Sequence, residues 1–261
     1  MDTLYVVKIG GNIIDDEAKL SQFLKSFAAI EGKKILVHGG GKLATRIAEG
    51  MHIPQQMVDG RRITDAETLK IVTMVYAGYI NKTIVAQLQA AGANAFGLSG
   101  ADGNAIQAHK RTHASIDYGF AGDIEGVNTS LLTALLDRDI TLVVAPITHD
   151  KKGQLLNTNA DTIAQELAKA LSAAYAVELI YSFEKSGVLV NAEDDSSLIR
   201  QINPASYGQL KRDGVVFAGM IPKLDNAFAA LHSGVKKVII GKAENLQQLI
   251  DGTTGTSIIH E

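Results

Sequence analysis

Apolar residues along the chain fall into short unbroken runs, separated by stretches in which they recur every three or four positions. Two runs of strand length each enter a glycine cluster: Leu4-Tyr-Val-Val-Lys-Ile-Gly10-Gly11 and Ile35-Leu-Val-His-Gly39-Gly40-Gly41-Lys42. Between them, the segment 15–30 places Leu20, Phe23, Leu24 and Phe27 at helical spacing, and Gly32 follows as a stop. That is one β-α-β unit. Strand-like and helical segments alternate in this way almost throughout, with further strands predicted at 95–98, 105–108, 140–145, 176–181, 215–217 and 237–240 and hairpins over 118–127 and 147–156. The alternation predicts the α/β class, with a mainly parallel sheet covered by helices on both faces.

Thr64-Asp-Ala-Glu67 reads as a capping box opening a long helix that runs to Ala91 and stops at Gly92. Leu69, Val72, Tyr76, Tyr79, Ile80 and Thr83 form a broad apolar stripe on it, wide enough for core packing alone or for the core and a partner subunit. Asn128 and Asn159 stand at helix N-cap positions, Pro222 in a first turn, and Gly234 at a helix end.

Composition narrows the class. A chain of 261 residues, 46% hydrophobic, supports one large α/β domain or two closely fused lobes. A net charge of −3 carries no electrostatic footprint for nucleic acid, which points to a small ligand. The absence of cysteine removes disulfides, thiolate metal sites and cysteine nucleophiles, and fits the cytoplasm. No apolar run exceeds strand length and no signal pattern precedes the first strand, so a soluble, untargeted protein with no membrane partner is expected.

Glycine at a strand end lets backbone N–H groups approach an anion, and a following helix N-terminus adds positive potential. Lys8 and Lys42 set a cation beside each cluster, a pairing that suggests phosphoryl transfer. Neither cluster matches the Walker or dinucleotide fingerprint. Lys8 alone also reads as a strand-end lysine reaching solvent. Asp161 falls in a first helical turn, where simple capping is the ordinary explanation, although Asn159 can already supply the cap. Lys223 is less ordinary, because a lysine in a first turn opposes the helix dipole unless an anion is bound there. Arg62 can clamp a carboxylate, whereas Arg61 reads as a solvated loop residue. The seven histidines show neither metal-ligand spacing nor a catalytic-triad pattern, so no protein-held metal is expected.

Lys8-Ile-Gly-Gly11, His38-Gly-Gly-Gly41, Gly60-Arg-Arg-Ile-Thr64, Gly97-Leu-Ser-Gly-Ala-Asp-Gly103, Gly119-Phe-Ala-Gly-Asp-Ile124, Leu156-Asn-Thr-Asn-Ala-Asp161 and Gly219-Met-Ile-Pro-Lys223 succeed one another in an order that resembles the amino acid kinase family. The resemblance runs nearly end to end. It implies a three-layer αβα sandwich, with an N-terminal lobe over 1–172 for an acylated amino acid and dimerisation, and a C-terminal lobe over 173–261 for ATP. The implied reaction is ATP-dependent phosphorylation of the side-chain carboxylate of N-acetyl-L-glutamate, on the route to arginine. Lys8 and Lys223 are then the cations that stabilise the migrating phosphoryl group, and Asp161 the carboxylate that orients them. Gly40, Gly41, Arg62 and Asn157 hold the acylamino acid. Gly10, Gly11, Glu184, Gly187 and Gly219 border the nucleotide, with Mg²⁺ carried mainly by ATP. Lys42 has no role in this scheme and reads as a helix-start residue.

The chemistry is consistent with that inventory. A side-chain carboxyl with a pKa near ~4.3 is ionised at neutral pH and attacks phosphorus without a general base, provided that cations and N–H groups suppress charge repulsion. The nucleotide half departs from the family pattern at Phe183-Glu-Lys-Ser-Gly187 and at Phe217-Ala218, where an aspartate and a hydroxyl are usual. Alternatives therefore stay open: a kinase for another N-acylglutamate such as N-succinylglutamate, a silent amino-acid sensor of the same fold, or a dinucleotide-dependent oxidoreductase. With the first strand beginning at Thr3 or Leu4, a homodimer through the helix near Asp65, without arginine feedback, is expected.

Overall fold

A computed structural model describes residues 1–58, 60–191, 194–216 and 220–260. In chain order the strands are β1 (Thr3–Ile9), β2 (Lys33–His38), β3 (Met57–Val58), β4 (Arg61–Arg62), β5 (Ala95–Leu98), β6 (Ile106–Lys110) and β7 (Gly122–Val127). They continue as β8 (Thr141–Val144), β9 (Ile147–His149), β10 (Leu155–Asn157), β11 (Ala176–Phe183), β12 (Gln201–Ile202), β13 (Lys237–Lys242) and β14 (Thr256–Ile258). The helices are α1 (Gly11–Ile14), α2 (Glu17–Ala28), α3 (Gly41–Gly50), α4 (Ala66–Val72), α5 (Asn81–Ala90), α6 (Thr129–Leu136), α7 (Ala160–Leu171), α8 (Pro204–Arg212), α9 (Ile221–His232) and α10 (Leu246–Ile250).

The unbroken apolar runs become the interior of one eight-stranded sheet, ordered β12-β14-β13-β11-β1-β2-β8-β5. All neighbours in it run parallel except β13 and β14. Strands covered on both faces need apolar residues at every position, and Leu4, Val6, Val7 and Ile9 of β1 are all fully buried. Alternation then divides them. Leu4 and Val6 join Leu167 of α7 and Leu224 of α9 in one core, while Val7 and Ile9 join Phe23 of α2 and Ile84 of α5 in a second core on the other face. A core on each face of one sheet is the three-layer αβα arrangement. No helix among the described residues is long and apolar enough to cross a membrane.

A smaller four-stranded sheet, β10-β9-β6-β7, and the hairpin of β3 and β4 stand apart from the large sheet. The segment 147–156 forms the expected hairpin of β9 and β10. The segment 118–127 does not pair with itself: β7 pairs with β6 across a bulge at Gln107/Ala108, while Gly119 and Ala121 bridge to Thr64 and Asn157. Val215 and Val216 form no strand, and Phe217 lies outside the described residues.

The long helix spans 66–90, but its cap is Asp65, which accepts from Thr68 N at 2.7 Å. Thr64 instead accepts from Asn157 Nδ2 and donates to Arg62 O, so the capping-box reading is one residue early. Its middle, Thr73–Ile80, is π-helical. Of the apolar stripe, Leu69, Val72, Tyr76 and Ile80 are buried, Thr83 is half-buried and Tyr79 faces solvent. Asn128 and Asn159 cap α6 and α7 as expected.

Candidate active site

The parallel register brings three chain turns out of the sheet side by side. Ile9 pairs with both His38 and Ser182, so Gly10, Gly39 and Phe183 leave β1, β2 and β11 at one level. The C-terminal edge of parallel strands is where α/β folds gather ligands.

Along β1, Lys8 shares the face of Leu4 and Val6, which directs it toward α7 and α9. Its Nζ lies 2.8 Å from Asp161 Oδ1, with 11% of the lysine side chain exposed and 38% of the aspartate's. Asn159 caps α7 by accepting from Asp161 N at 2.9 Å and Thr162 N at 3.1 Å, so the Asp161 carboxylate is not needed as a cap. Lys223, in the first turn of α9, sets its Nζ 4.1 Å from the centre of the Phe183 ring, and Lys8 Nζ lies 5.6 Å from the same ring. Partial burial lowers the Lys223 pKa below the ordinary lysine value; Asp161 opposes that shift and Lys8 adds to it. Two ammonium groups therefore face a single aromatic ring, and the Asp161 carboxylate pairs with one of them. Tyr181, stacked on Phe183, donates its hydroxyl to Asp161 O, and burial with the Asp161 charge pushes its pKa up.

The second glycine turn is built differently from the first. Gly40 has φ +143°, and a Cβ there would sit 2.2 Å from Ile80 Cδ1 and 3.1 Å from Tyr76 Cδ1, so both conformation and packing require glycine. Gly10 has φ −79°, and Cβ atoms at Gly10 and Gly11 would make only ordinary contacts. The first turn thus keeps its glycines without any steric demand from the protein, which leaves open space against its backbone. Arg62 is buried and donates to Gly41 O at 2.9 Å, Thr45 Oγ1 at 3.0 Å and Gln55 Oε1.

Three cavities meet at Gly41. One of ≈170 Å³ is lined by Gly40, Gly41, Arg62 and Asn157 together with Asn159 and Ala160. One of ≈510 Å³ is lined by Gly10, Gly11, Glu184, Gly187 and Lys223 with Phe183 and Ser182. Since Ala160 borders the first and Phe183 the second, the Lys8–Asp161 pair stands between them. A third, open cavity of ≈980 Å³ spreads from Gly41 toward Asp16 and Glu244. Every described residue expected at the site is thus gathered here. Glu184 is an exposed rim residue, and Gly187 packs so closely on Thr256 that its glycine is explained by the fold. Gly219 lies outside the described residues.

Three residues have more part in the site than their sequence context suggests. Arg61 is half-buried and lines the ≈170 Å³ cavity, and burial and the nearby Arg111 lower its pKa. Nothing in the sequence separates it from Arg62, because neighbours on a strand alternate faces and either could be the buried one. Lys42 borders two of the cavities, and its Nζ donates to Asn12 Oδ1, linking the two glycine turns. Ser182 Oγ is buried with no hydrogen-bond partner beside the ≈510 Å³ cavity; its signal in the sequence is a hydroxyl ending an apolar strand.

The parallel sheet, the paired lysines at its C-terminal edge and the glycine turns define a class of phosphotransferase folds. The chain belongs to the amino acid kinase family, whose sequence profile matches residues 3–242. An acetylglutamate kinase of Cytophaga hutchinsonii is 57% identical over 262 residues, covering 99% of each chain. An acetylglutamate kinase of Bacteroides fragilis is 54% identical, covering 97% of this chain and 96% of that one. In fold, the chain resembles N-acetylglutamate synthase from Neisseria gonorrhoeae complexed with coenzyme A and N-acetyl-glutamate (TM-score 0.84, 21% identity), with 100% of this chain covered and 60% of the synthase's length spanned.

Proposed function

We propose that the chain is an enzyme that transfers the γ-phosphoryl group of ATP to the side-chain carboxylate of N-acetyl-L-glutamate, the step that commits acylated glutamate to arginine synthesis in the cytoplasm. The observation that carries the reading is the Lys8–Asp161 ion pair with Lys223 beside the same Phe183 ring, where a small polar cavity adjoins a larger one. Segment 1–172 supplies the acylamino-acid side, and 173–261 most of the nucleotide side.

The residues present suit ATP. The unsatisfied Ser182 hydroxyl and Lys223 border the ≈510 Å³ cavity, and next to it Val188, Leu189, Val216 and Met220 line an apolar recess of ≈70 Å³ suited to a base edge. Among the described residues, no group of three or more His, Cys, Asp or Glu is placed to hold a metal, so Mg²⁺ would enter with the nucleotide phosphates. When bound, ATP supplies the phosphoryl group. A carboxylate oxygen forms the new bond to phosphorus as the bond to the ADP oxygen breaks, and no proton moves.

The chain's own residues make that encounter possible. Arg62 holds the α-carboxylate, giving up contacts to Gly41 and Thr45 to do so, and Asn157 faces the acyl amide. Gly40 and Gly41 aim N–H groups at the reacting carboxylate, and Gly10 and Gly11 line the path of the phosphates. Lys8 and Lys223 neutralise charge as it spreads over the transferring group, while Asp161 fixes their positions. Trapping of an ATP-dependent acyl phosphate by hydroxylamine tests the reading: acyl hydroxamate from N-acetylglutamate supports it, and its absence refutes it.

A second reading, a dicarboxylic acyl group such as N-succinyl, draws on one observation: the half-buried Arg61 gives the acylamino-acid cavity a second guanidinium. A kcat/KM comparison of the two acylglutamates separates them. A homodimer through the 66–90 helix is supported by the exposed Met74, Tyr79 and Phe96, which lie on that helix and on edge strand β5. Light scattering at twice the chain mass supports it, and a monomer refutes it.

A further inference from the structure

Beneath the second glycine turn lies a buried polar chain to which neither the substrate nor the phosphoryl chemistry assigns a part. His38 is fully buried, and alternation on β2 turns it away from Lys8 and toward the 66–90 helix. Its Nδ1 lies 2.9 Å from Gly39 O and its Nε2 3.2 Å from Asn81 Nδ2. A carbonyl oxygen only accepts, so Nδ1 carries the proton; Nε2 is then the acceptor and takes an amide proton from Asn81. Asn81 also donates to Val143 O at 3.0 Å, and its Oδ1 accepts from Lys82 Nζ at 3.0 Å. The amide orientation is thereby fixed from both ends, and with it the tautomer of the ring.

Asn81 is the first residue after the π-helical segment, whose Tyr76 and Ile80 are the side chains packed against Gly40. A π turn inserted in an α-helix rotates the helical turns after it and is often found beside functional sites. Here it delivers a packing wall to this turn and a hydrogen-bond donor to the histidine beneath it.

The peptide linking Gly39 to Gly40 is trans and planar, so its C=O and N–H point in opposite directions. Between two glycines such a peptide rotates easily. We infer that His38 is a positioning residue for the reaction: by donating to Gly39 O it pins this peptide with the carbonyl toward the core and the Gly40 N–H toward the ≈170 Å³ cavity, where the reacting carboxylate binds. Asn81 and the π segment hold His38 in the tautomer that can donate. The inference rests on the proposed acylglutamate site.

Two replacements separate positioning from packing. Asparagine places an amide N–H where Nδ1 stands and preserves the bond to Gly39; glutamine reaches Asn81 but offers no donor at that point. In the hydroxamate assay, H38N is expected to keep kcat within about threefold of wild type. H38Q is expected to lose about 10- to 100-fold in kcat, the scale for a misplaced oxyanion-type donor, with KM for ATP within about twofold. Equal activity of the two variants, or greater loss in the smaller H38N, would leave His38 a packing residue and overturn the inference. Asn81→Ala keeps the ring but frees its tautomer, and a kcat loss of about three- to tenfold is expected; should neither His38 variant fold, an unchanged kcat in Asn81→Ala overturns the inference. A wild-type chain that forms no hydroxamate removes the substrate reading and this inference together, whereas hydroxamate from wild type with full activity in H38Q removes the inference alone.

Discussion

Burial of His38 makes the stability of this chain fall in acid by an amount the structure sets. Burial lowers its pKa from 6.5 to about 4; the bond to Gly39 opposes that shift and the charge of Lys82 adds to it. The folded state therefore holds a neutral ring while the unfolded chain takes up a proton near pH 6.5. Between those values the unfolded state binds more protons, so stability falls as pH falls; above pH 6.5 the group has no effect, and below about pH 4 no further loss accrues. The linkage amounts to about 2 kcal/mol at pH 5 and about 3 kcal/mol at pH 4. Other groups titrate as well, so the informative quantity is the difference from His38→Gln, which has no ring to protonate. For a chain of this size about 2 kcal/mol corresponds to some 4–8 °C in the unfolding midpoint. Thermal unfolding at pH 7.5 and pH 5 should thus show wild type losing about 4–8 °C more than His38→Gln. Parallel losses in the two proteins would refute a buried neutral ring at this position.

The other predictions concern the glycine turn and the charges around it. Gly40→Ala forces a left-handed φ on alanine and sets a methyl 2.2 Å from Ile80 Cδ1, so a cost of about 2–4 kcal/mol and a midpoint lowered by about 5–15 °C are expected; Gly39→Ala, whose methyl meets nothing within 4 Å, should shift it by less than about 2 °C. Lys8→Ala and Lys223→Ala should each lower kcat by about 10²-fold or more, and near-normal turnover in both would remove them from the chemistry. Arg62→Ala should mainly raise KM for the acylamino acid, since it removes a ground-state carboxylate contact, and a pure kcat defect would contradict that role.

Much of this arrangement is legible in residue order. The central strands announce themselves as unbroken apolar runs because parallel strands buried on both faces leave polar residues only at their ends, and Lys8 stands out as the charge in such a run. Asp161 and Lys223 are visible through helix-end electrostatics, one able to cap α7 and the other opposed to the dipole of α9. The parts that are not legible depend on contacts between distant segments. His38 meets Asn81 only because β2 lies beside the 66–90 helix, and a π turn leaves no periodic signature that distinguishes it from an α-helix. The pairing of β7 with β6 rather than with 118–121 comes from the bridges of Gly119 and Ala121 to Thr64 and Asn157, which no local turn pattern reveals. Arg61 and Arg62 are adjacent, and only the hairpin of β3 and β4 decides which is buried. The apolar stripe on the long helix is narrower than its sequence suggests for a similar reason: Tyr76 and Ile80 pack against the Gly40 turn, while Tyr79 faces solvent.

On the proposed function, two cavities meeting at Gly41 hold a carboxylate and a nucleoside triphosphate, with the Lys8–Asp161 pair where they adjoin and Lys223 on the nucleotide side. The most direct measurement is hydroxylamine trapping with the purified chain, ATP, Mg²⁺ and N-acetyl-L-glutamate, run beside Lys8→Ala. Wild type is expected to form acyl hydroxamate in step with ADP, and the variant about 10²-fold less. ADP release without hydroxamate, or equal hydroxamate from both proteins, would contradict it.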